Sequence, residues 1–151
     1  MSYEMTVHRV IDASAEEVFE AFTSVEAQRI WYRGPKQDQD MIVEIECDPR
    51  VGGEWSQVWG PNRQELYREL CVFTVVDPPR RLAMTSHFTG PDGASADTEI
   101  DIAFEETDGK TRMTVVHSGI PTAEQRDFLA TMAWQGAFDC LEWYFASYRK
   151  H

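Results

Sequence analysis

The chain has 151 residues, enough for one domain with a full core, and 42% of them are hydrophobic and 12% aromatic. Its 26 acidic and 14 basic side chains give a formal charge of −12, which argues against nucleic acid and membrane surfaces as partners. No leader-like N-terminus or membrane-spanning apolar run is present, so we expect a cytoplasmic protein. Cys47, Cys71 and Cys140 lie far apart in apolar segments, which favours buried reduced thiols.

The N-terminal part of the chain predicts one strand followed by two short helices. Met5 to Ile11 has the β-branched content and rough alternation of a strand. Ser14 and Glu17 have the spacing of a capping box at the start of a helix. A second short helix is predicted from Ser24 to about Tyr32, before Gly34-Pro35. We expect both helices to lie across one end of a sheet.

From Met41 to His117 apolar and polar residues alternate, as in strands that have one wet face. The clearest turns between these strands are Asp77-Pro78-Pro79 and Asp108-Gly109. The segment Glu65–Val76 is predicted to contain a bulge, because its apolar residues fit neither face alone. With the first strand the count is about six or seven, in sequential hairpins, so the pattern predicts an antiparallel sheet.

The residues from Pro121 onward predict one long C-terminal helix. Thr122 is a good N-cap, and Gln125 takes the capping-box position. A helix of this length needs a partner surface, so we predict an α+β helix-grip fold, in which the curved antiparallel sheet wraps around this helix. Three- and four-residue spacing predicts one apolar stripe along it, formed by Leu129, Met132, Ala133, Gly136, Ala137, Cys140, Leu141, Tyr144 and Tyr148.

Five parts of the sequence carry a resemblance to a known family: Val18–Thr23 with Ile30–Tyr32, Asp48–Trp55, Asp77–Leu82, Thr98–Phe104 and Thr111–Gly119. In this order they resemble the bacterial homologues of the activator of the heat-shock-protein-90 ATPase, a branch of the START-like (SRPBCC, Bet v 1-like) superfamily. The resemblance implies a single START-like domain over residues 1–151, with a hydrophobic cavity between the sheet and the last helix. The chain departs from the family pattern at Ala137, where family members commonly have a bulky aromatic residue, and at Cys71–Phe73, where many have a glycine.

The predicted function is binding of a small hydrophobic or aromatic molecule in this cavity, without a cofactor or a metal. Aromatic rings and apolar side chains supply contact area, and a few polar groups such as His117 set the orientation of the ligand. Glycine in the middle of a helix lowers stability. Gly136 is therefore explained either by close packing of the helix against the sheet or by room for a ligand. The candidate ligand-binding residues are Trp31, Trp55, Trp59, Tyr67, Met84, Phe88, Ile102, Phe104, Val115, His117, Met132, Gly136 and Cys140.

Two other functions stay open at this point. An enzyme resembling the cyclases or dehydratases of the superfamily would use the same cavity, with His117 and Tyr67 as the first candidates for moving protons. A chaperone-interacting module is the other, by analogy with the eukaryotic activator, which has an additional N-terminal domain. The sequence contains no nucleophile elbow, metal-binding triplet or phosphate loop, which favours binding over catalysis. A homodimer is compatible with the sequence.

Overall fold

Seven antiparallel strands form one curved sheet in the computed structural model, which describes residues 2–149. Their order is β1-β7-β6-β5-β4-β3-β2, so the last strand pairs with the first, and β1 and β2 are the two edges. The predicted α+β helix-grip fold is confirmed. The strands are β1 Tyr3–Ile11, β2 Ile42–Cys47, β3 Glu54–Gly60, β4 Tyr67–Asp77, β5 Arg81–Thr89, β6 Ser95–Thr107 and β7 Lys110–Ile120.

Two local features of the sheet follow from the sequence as predicted. Asp108 and Gly109 join β6 to β7 and have φ values of 54° and 78°, as a two-residue hairpin turn requires. The register of β4 against β5 shifts between Phe73 and Val75, which is the predicted bulge. The bulge inserts one extra residue into β4, so the alternation of inward and outward side chains shifts by one residue after Phe73.

Helices α1 (Ala15–Thr23) and α2 (Val25–Trp31) pack against the inner face of the sheet. The capping box of α1 is formed in both directions, because the Ser14 hydroxyl accepts from the Glu17 amide while the Glu17 carboxylate accepts from the Ser14 amide. Phe22 of α1 then enters the core, where its ring centre lies 5.4–6.2 Å from the ring centres of Trp31, Trp55 and Phe104.

The C-terminal helix is helical from Ala123 to Tyr148, but it is not a uniform α-helix. It consists of α3 (Ala123–Phe128), a first π turn (Leu129–Ala133), α4 (Trp134–Trp143) and a second π turn (Tyr144–Tyr148). Thr122 caps its start as predicted, since its hydroxyl accepts from the Gln125 amide at 3.1 Å. No helix within residues 2–149 combines the length and the apolar character that a membrane crossing requires.

The predicted apolar stripe of this helix is wrong for part of its length. Met132 is 63% exposed, and Gly136 also lies on the outer side. Phe138 and Phe145, which the predicted stripe omits, are buried instead. A π turn holds more residues than an α turn, so the first π turn displaces the residues after it from the phase expected for a regular α-helix. Ala133 and Tyr148 of the stripe are exposed as well, while Leu129, Ala137, Cys140, Leu141 and Tyr144 are half-buried or buried.

Gly136 has neither the packing role nor the access role that the sequence suggested. A Cβ atom at this position would meet no heavy atom within 4 Å. We expect Gly136→Ala to raise the free energy of unfolding by about 0.5–1 kcal/mol in urea denaturation, because alanine loses less backbone entropy in a helix. Gly34→Ala is the control, and it should destabilise the protein, since Gly34 has a φ of +69°. Destabilisation by Gly136→Ala would contradict this view of the outer face.

Arg9 fastens the C-terminal helix to the edge strand β1. Its guanidinium donates to the carboxylates of Asp139 and Glu142 and to the Gln135 side-chain oxygen, and its central carbon lies 5.3 Å from the centre of the Phe138 ring. The main contacts of α3 with the sheet are also with β1 and β7. The helix is therefore held over the β1 and β7 side of the inner face, while α2 packs against β2 on the other side.

Candidate functional site

One polar side chain from each of five neighbouring strands lies among the inward-facing residues of the sheet. These five residues, which we call the polar row, are Gln57 of β3, Glu69 of β4, Ser86 of β5, Thr98 of β6 and His117 of β7. Gln57 is paired directly opposite Glu69, and Ser86 directly opposite Thr98. Hydrogen bonds join Ser86 to Glu69 and His117 to Thr98. The row thus crosses an inner face that is otherwise mostly apolar.

His117 is buried and both of its ring nitrogens are engaged. The Trp134 indole N–H donates to Nδ1 at 3.2 Å, so Nε2 carries the proton and donates to the Thr98 hydroxyl at 2.8 Å. Burial lowers the pKa of His117 from 6.5 to about 4. The side chain is therefore neutral at pH 7, and its one lone pair is already used. This arrangement suits a fixed polar contact better than a general base.

At the other end of the polar row, Gln57 connects the sheet to α2. Its side-chain oxygen accepts from the Tyr32 hydroxyl at 2.8 Å, and its amide nitrogen lies 3.9 Å from Cys71 Sγ. Burial raises the pKa of the Tyr32 phenol, and the nearby Glu69 carboxyl raises it further. Burial likewise raises the pKa of the Cys71 thiol. Both groups are therefore neutral at pH 7, so they place no charge beside Glu69.

Glu69 is the acidic member of the polar row. It is half-buried, and its Oε2 accepts a short hydrogen bond from the Ser86 hydroxyl at 2.5 Å. Burial raises the pKa of this carboxyl, and the Ser86 hydrogen bond acts in the opposite direction. Glu69 forms no ion pair with any residue in the described range 2–149.

An aromatic cluster borders Glu69 on the same face. It consists of Trp59 of β3, Tyr67 of β4 and Phe88 of β5, and its ring centres are 5.6–6.2 Å apart. The Trp59 and Tyr67 rings are nearly parallel, at 15° to one another. Tyr67 is 38% exposed, and the other two rings are half-buried. The cluster therefore offers a partly exposed apolar surface that a molecule in solution can reach.

Six other predicted site residues lie in the closed core. The indole N–H groups of Trp31 and Trp55 donate to the Ala21 carbonyl and to the Gln28 side chain, at 2.9 and 2.6 Å. Trp55 also stacks on Phe73, with 5.9 Å between ring centres. These contacts fix both tryptophans as packing residues. The four remaining members of this group are almost fully buried: Met84, Ile102, Phe104 and Val115.

The predicted site residues of the C-terminal helix do not join the aromatic cluster or the polar row. Met132 and Gly136 lie on the outer side of the helix, as described above. Cys140 is half-buried, and its Sγ lies 3.4 Å from where a Cβ of Gly34 would be. It therefore packs against the turn after α2. The helix contributes Trp134 to the polar row instead, through its hydrogen bond to His117.

Glu69 and its neighbours Gln57 and Ser86 are not among the site residues predicted from the sequence. The signal available was parity, because Tyr67, Glu69 and Cys71 follow one another at two-residue steps and so share a face. The register shift of β4 lies after these residues, between Phe73 and Val75, so it does not disturb their alternation. A glutamate on a strand ordinarily indicates the solvent-exposed face, so this signal is weak on its own.

The rest of the described surface has fewer features of a binding or catalytic site. Two open depressions lie on the outer side of the sheet, one beside Val10 and the β6–β7 hairpin and the other beside the Arg81–Asp101 ion pair. Within residues 2–149, His, Cys, Asp and Glu side chains form no group of three or more that could hold a metal ion. The polar row and the aromatic cluster are therefore the candidate functional site.

Solved structures of several bacterial proteins share this fold. A protein from Rhizobium loti is 20% identical, over 94% of this chain and 96% of that chain, with a TM-score of 0.74. A protein from Rhodobacter sphaeroides is 21% identical, over 95% and 93% of the two chains, with a TM-score of 0.75. CalU16 from Micromonospora echinospora is 17% identical, over 99% of this chain and 80% of its own, with a TM-score of 0.66. At these identities the likeness concerns the fold alone.

A comparison with the curated proteins gives no match. The sequence profile described as Activator of Hsp90 ATPase homolog 1-like protein, in contrast, matches residues 12–146. This match runs from the residue after β1 into the second π turn, so it includes all the residues of the candidate site. The chain therefore belongs to the Activator of Hsp90 ATPase homolog 1-like family, in agreement with the resemblance seen in its sequence.

Proposed function

We propose that the protein binds a small, mainly apolar molecule with an aromatic part, and that the molecule lies against Trp59, Tyr67 and Phe88. The observation that carries this proposal is the aromatic cluster, in which three rings from adjacent strands form a surface that is still partly exposed. Desolvating such rings against an apolar ligand is favourable, and the neighbouring polar groups can orient the ligand. The family commonly binds hydrophobic ligands, which supports the same conclusion.

A neutral naphthalene probe tests the proposal directly. We expect 1-naphthalenemethanol to bind the wild type, measured by the change in its fluorescence and by calorimetry, and to bind Trp59→Ala about tenfold more weakly. This loss corresponds to about 1.4 kcal/mol, the value of roughly 55 Å² of apolar contact. The half-burial of Trp59 should leave the variant folded, which its circular dichroism spectrum checks.

The matched control is Phe128→Ala. Phe128 is also aromatic and is 58% exposed, but it lies at the end of α3 and outside the aromatic cluster. Its removal should leave the affinity for the probe unchanged. Equal losses in the two variants would indicate unspecific adsorption to exposed rings, and the absence of any binding to the wild type would refute the proposed function.

A further inference from the structure

Glu69 lies at the centre of the candidate site. On the inner face, Tyr67 precedes it by two residues on β4, Gln57 lies directly opposite it on β3, and Phe88 lies directly opposite it on β5. One side of the carboxylate is therefore next to aromatic rings, and the other sides are next to polar groups. A ligand seated on the aromatic cluster would come within reach of this carboxylate.

The carboxylate lacks a compensating positive charge. Its protein partner is the neutral Ser86 hydroxyl, which binds Oε2, and neither Oε1 nor Oε2 is paired with a basic side chain in the described residues 2–149. Arg9, another charged residue on this face, is already held by Asp139 and Glu142. Partial burial of a carboxylate without a counter-charge is unfavourable, because water solvates the charge less well there. The raised pKa of Glu69 reflects this cost.

We propose that the ligand itself supplies the missing charge, so that this site takes an amine whose ammonium group binds Glu69 while its apolar or aromatic part lies on Trp59, Tyr67 and Phe88. This inference rests on the proposed function and names the class of ligand. An ammonium group donates charge-assisted hydrogen bonds to a carboxylate, and the faces of the neighbouring rings also attract cations. The formal net charge of −12 favours the approach of a cation over that of an anion.

Three probes of the same aromatic shape separate charge from hydrophobic contact. They are 1-naphthylmethylamine, which is cationic at pH 7, 1-naphthalenemethanol, which is neutral, and 1-naphthoate, which is anionic. For the wild type we expect the amine to bind about tenfold more tightly than the alcohol, and the naphthoate to bind most weakly. Glu69→Gln keeps the size of the side chain and removes its charge, so it should bring the ratio of amine to alcohol affinity close to one.

Two further variants make the experiment specific. Glu99→Gln removes one negative charge from an exposed position on the outer face and should leave the tenfold ratio unchanged. Ser86→Ala removes the hydroxyl but keeps the carboxylate, so it should still bind the amine more tightly than the alcohol. If Glu69→Gln does not fold, Glu69→Met takes its place, since it also removes the charge and should likewise bring the ratio close to one.

The outcomes separate this inference from the proposed function. If the amine and the alcohol bind the wild type equally, and Trp59→Ala weakens both, the amine inference is wrong while the proposed function stands. Tightest binding of the naphthoate, or an amine preference that survives in Glu69→Gln, also overturns the inference. A wild type that binds none of the probes refutes the proposed function itself.

Discussion

Phe138→Ala should lower the free energy of unfolding by about 3–5 kcal/mol, the range for removal of a fully buried aromatic side chain. Phe138 has no exposed surface, its ring lies beside the Arg9 guanidinium, and its centre is 6.3 Å from that of Trp134. Truncation would leave a cavity between the helix and β1 and would remove a cation–π contact. Urea denaturation followed by circular dichroism measures the loss.

The comparison variant is Met132→Ala on the same helix. Met132 is 63% exposed, so its truncation should change the free energy of unfolding by no more than about 0.5 kcal/mol. The pair distinguishes the observed phase of the helix from the phase of a regular α-helix, in which Met132 would face the sheet. A large loss at Met132 together with a small loss at Phe138 would contradict the structure.

The stability of the protein should fall as the pH is lowered from about 6.5 to 4, by about 3 kcal/mol from His117 alone. The pKa of His117 is lowered from 6.5 to about 4 in the folded state, because burial disfavours the imidazolium. Below pH 6.5 His117 is therefore protonated in the unfolded chain, whereas in the folded protein it stays neutral until about pH 4. The stabilisation is fully present above pH 6.5 and is lost through this window.

His117→Gln isolates this contribution. A glutamine can accept from Trp134 and donate to Thr98, as the histidine does, but it does not titrate. Glu69 titrates with the opposite sign, since a raised pKa gives stability at low pH that is lost as the pH rises. That contribution is common to both proteins, so the difference between their free energies of unfolding from pH 7 to pH 4 reports on His117. A constant difference would contradict the prediction.

The sheet was predictable because its signals are local. Alternation of side chains and the Asp108-Gly109 turn each depend on a few neighbouring residues, as do the Ser14–Glu17 capping box and the Thr122 N-cap of the helices, and each is formed in the structure. The phase of the C-terminal helix was not predictable in the same way. The first π turn, Leu129–Ala133, contains no proline or glycine that would mark it. A regular period of 3.6 residues continued through this turn therefore predicts the wrong helix face as buried.

The candidate site was predictable only in part, for a related reason. Trp59, Tyr67 and Phe88 follow from strand parity and side-chain size, although their mutual contact depends on the pairing of three strands. Glu69 meets Ser86, its hydrogen-bond partner 17 positions away in the sequence, only through the pairing of β4 with β5. Parity with Tyr67 and Cys71 places Glu69 on the inner face, but only the pairing of the strands shows which side chains surround it.

The contacts of Arg9 with the C-terminal helix also affect the tendency of the protein to aggregate. β1 is an edge strand, and edges with unpaired backbone groups can be extended by another chain. An inward-pointing charge on an edge strand opposes such growth, and on the other edge, β2, the outward Glu46 carboxylate would repel a second copy. Substitutions of Arg9 should therefore be judged by the solubility of the protein over time as well as by its unfolding.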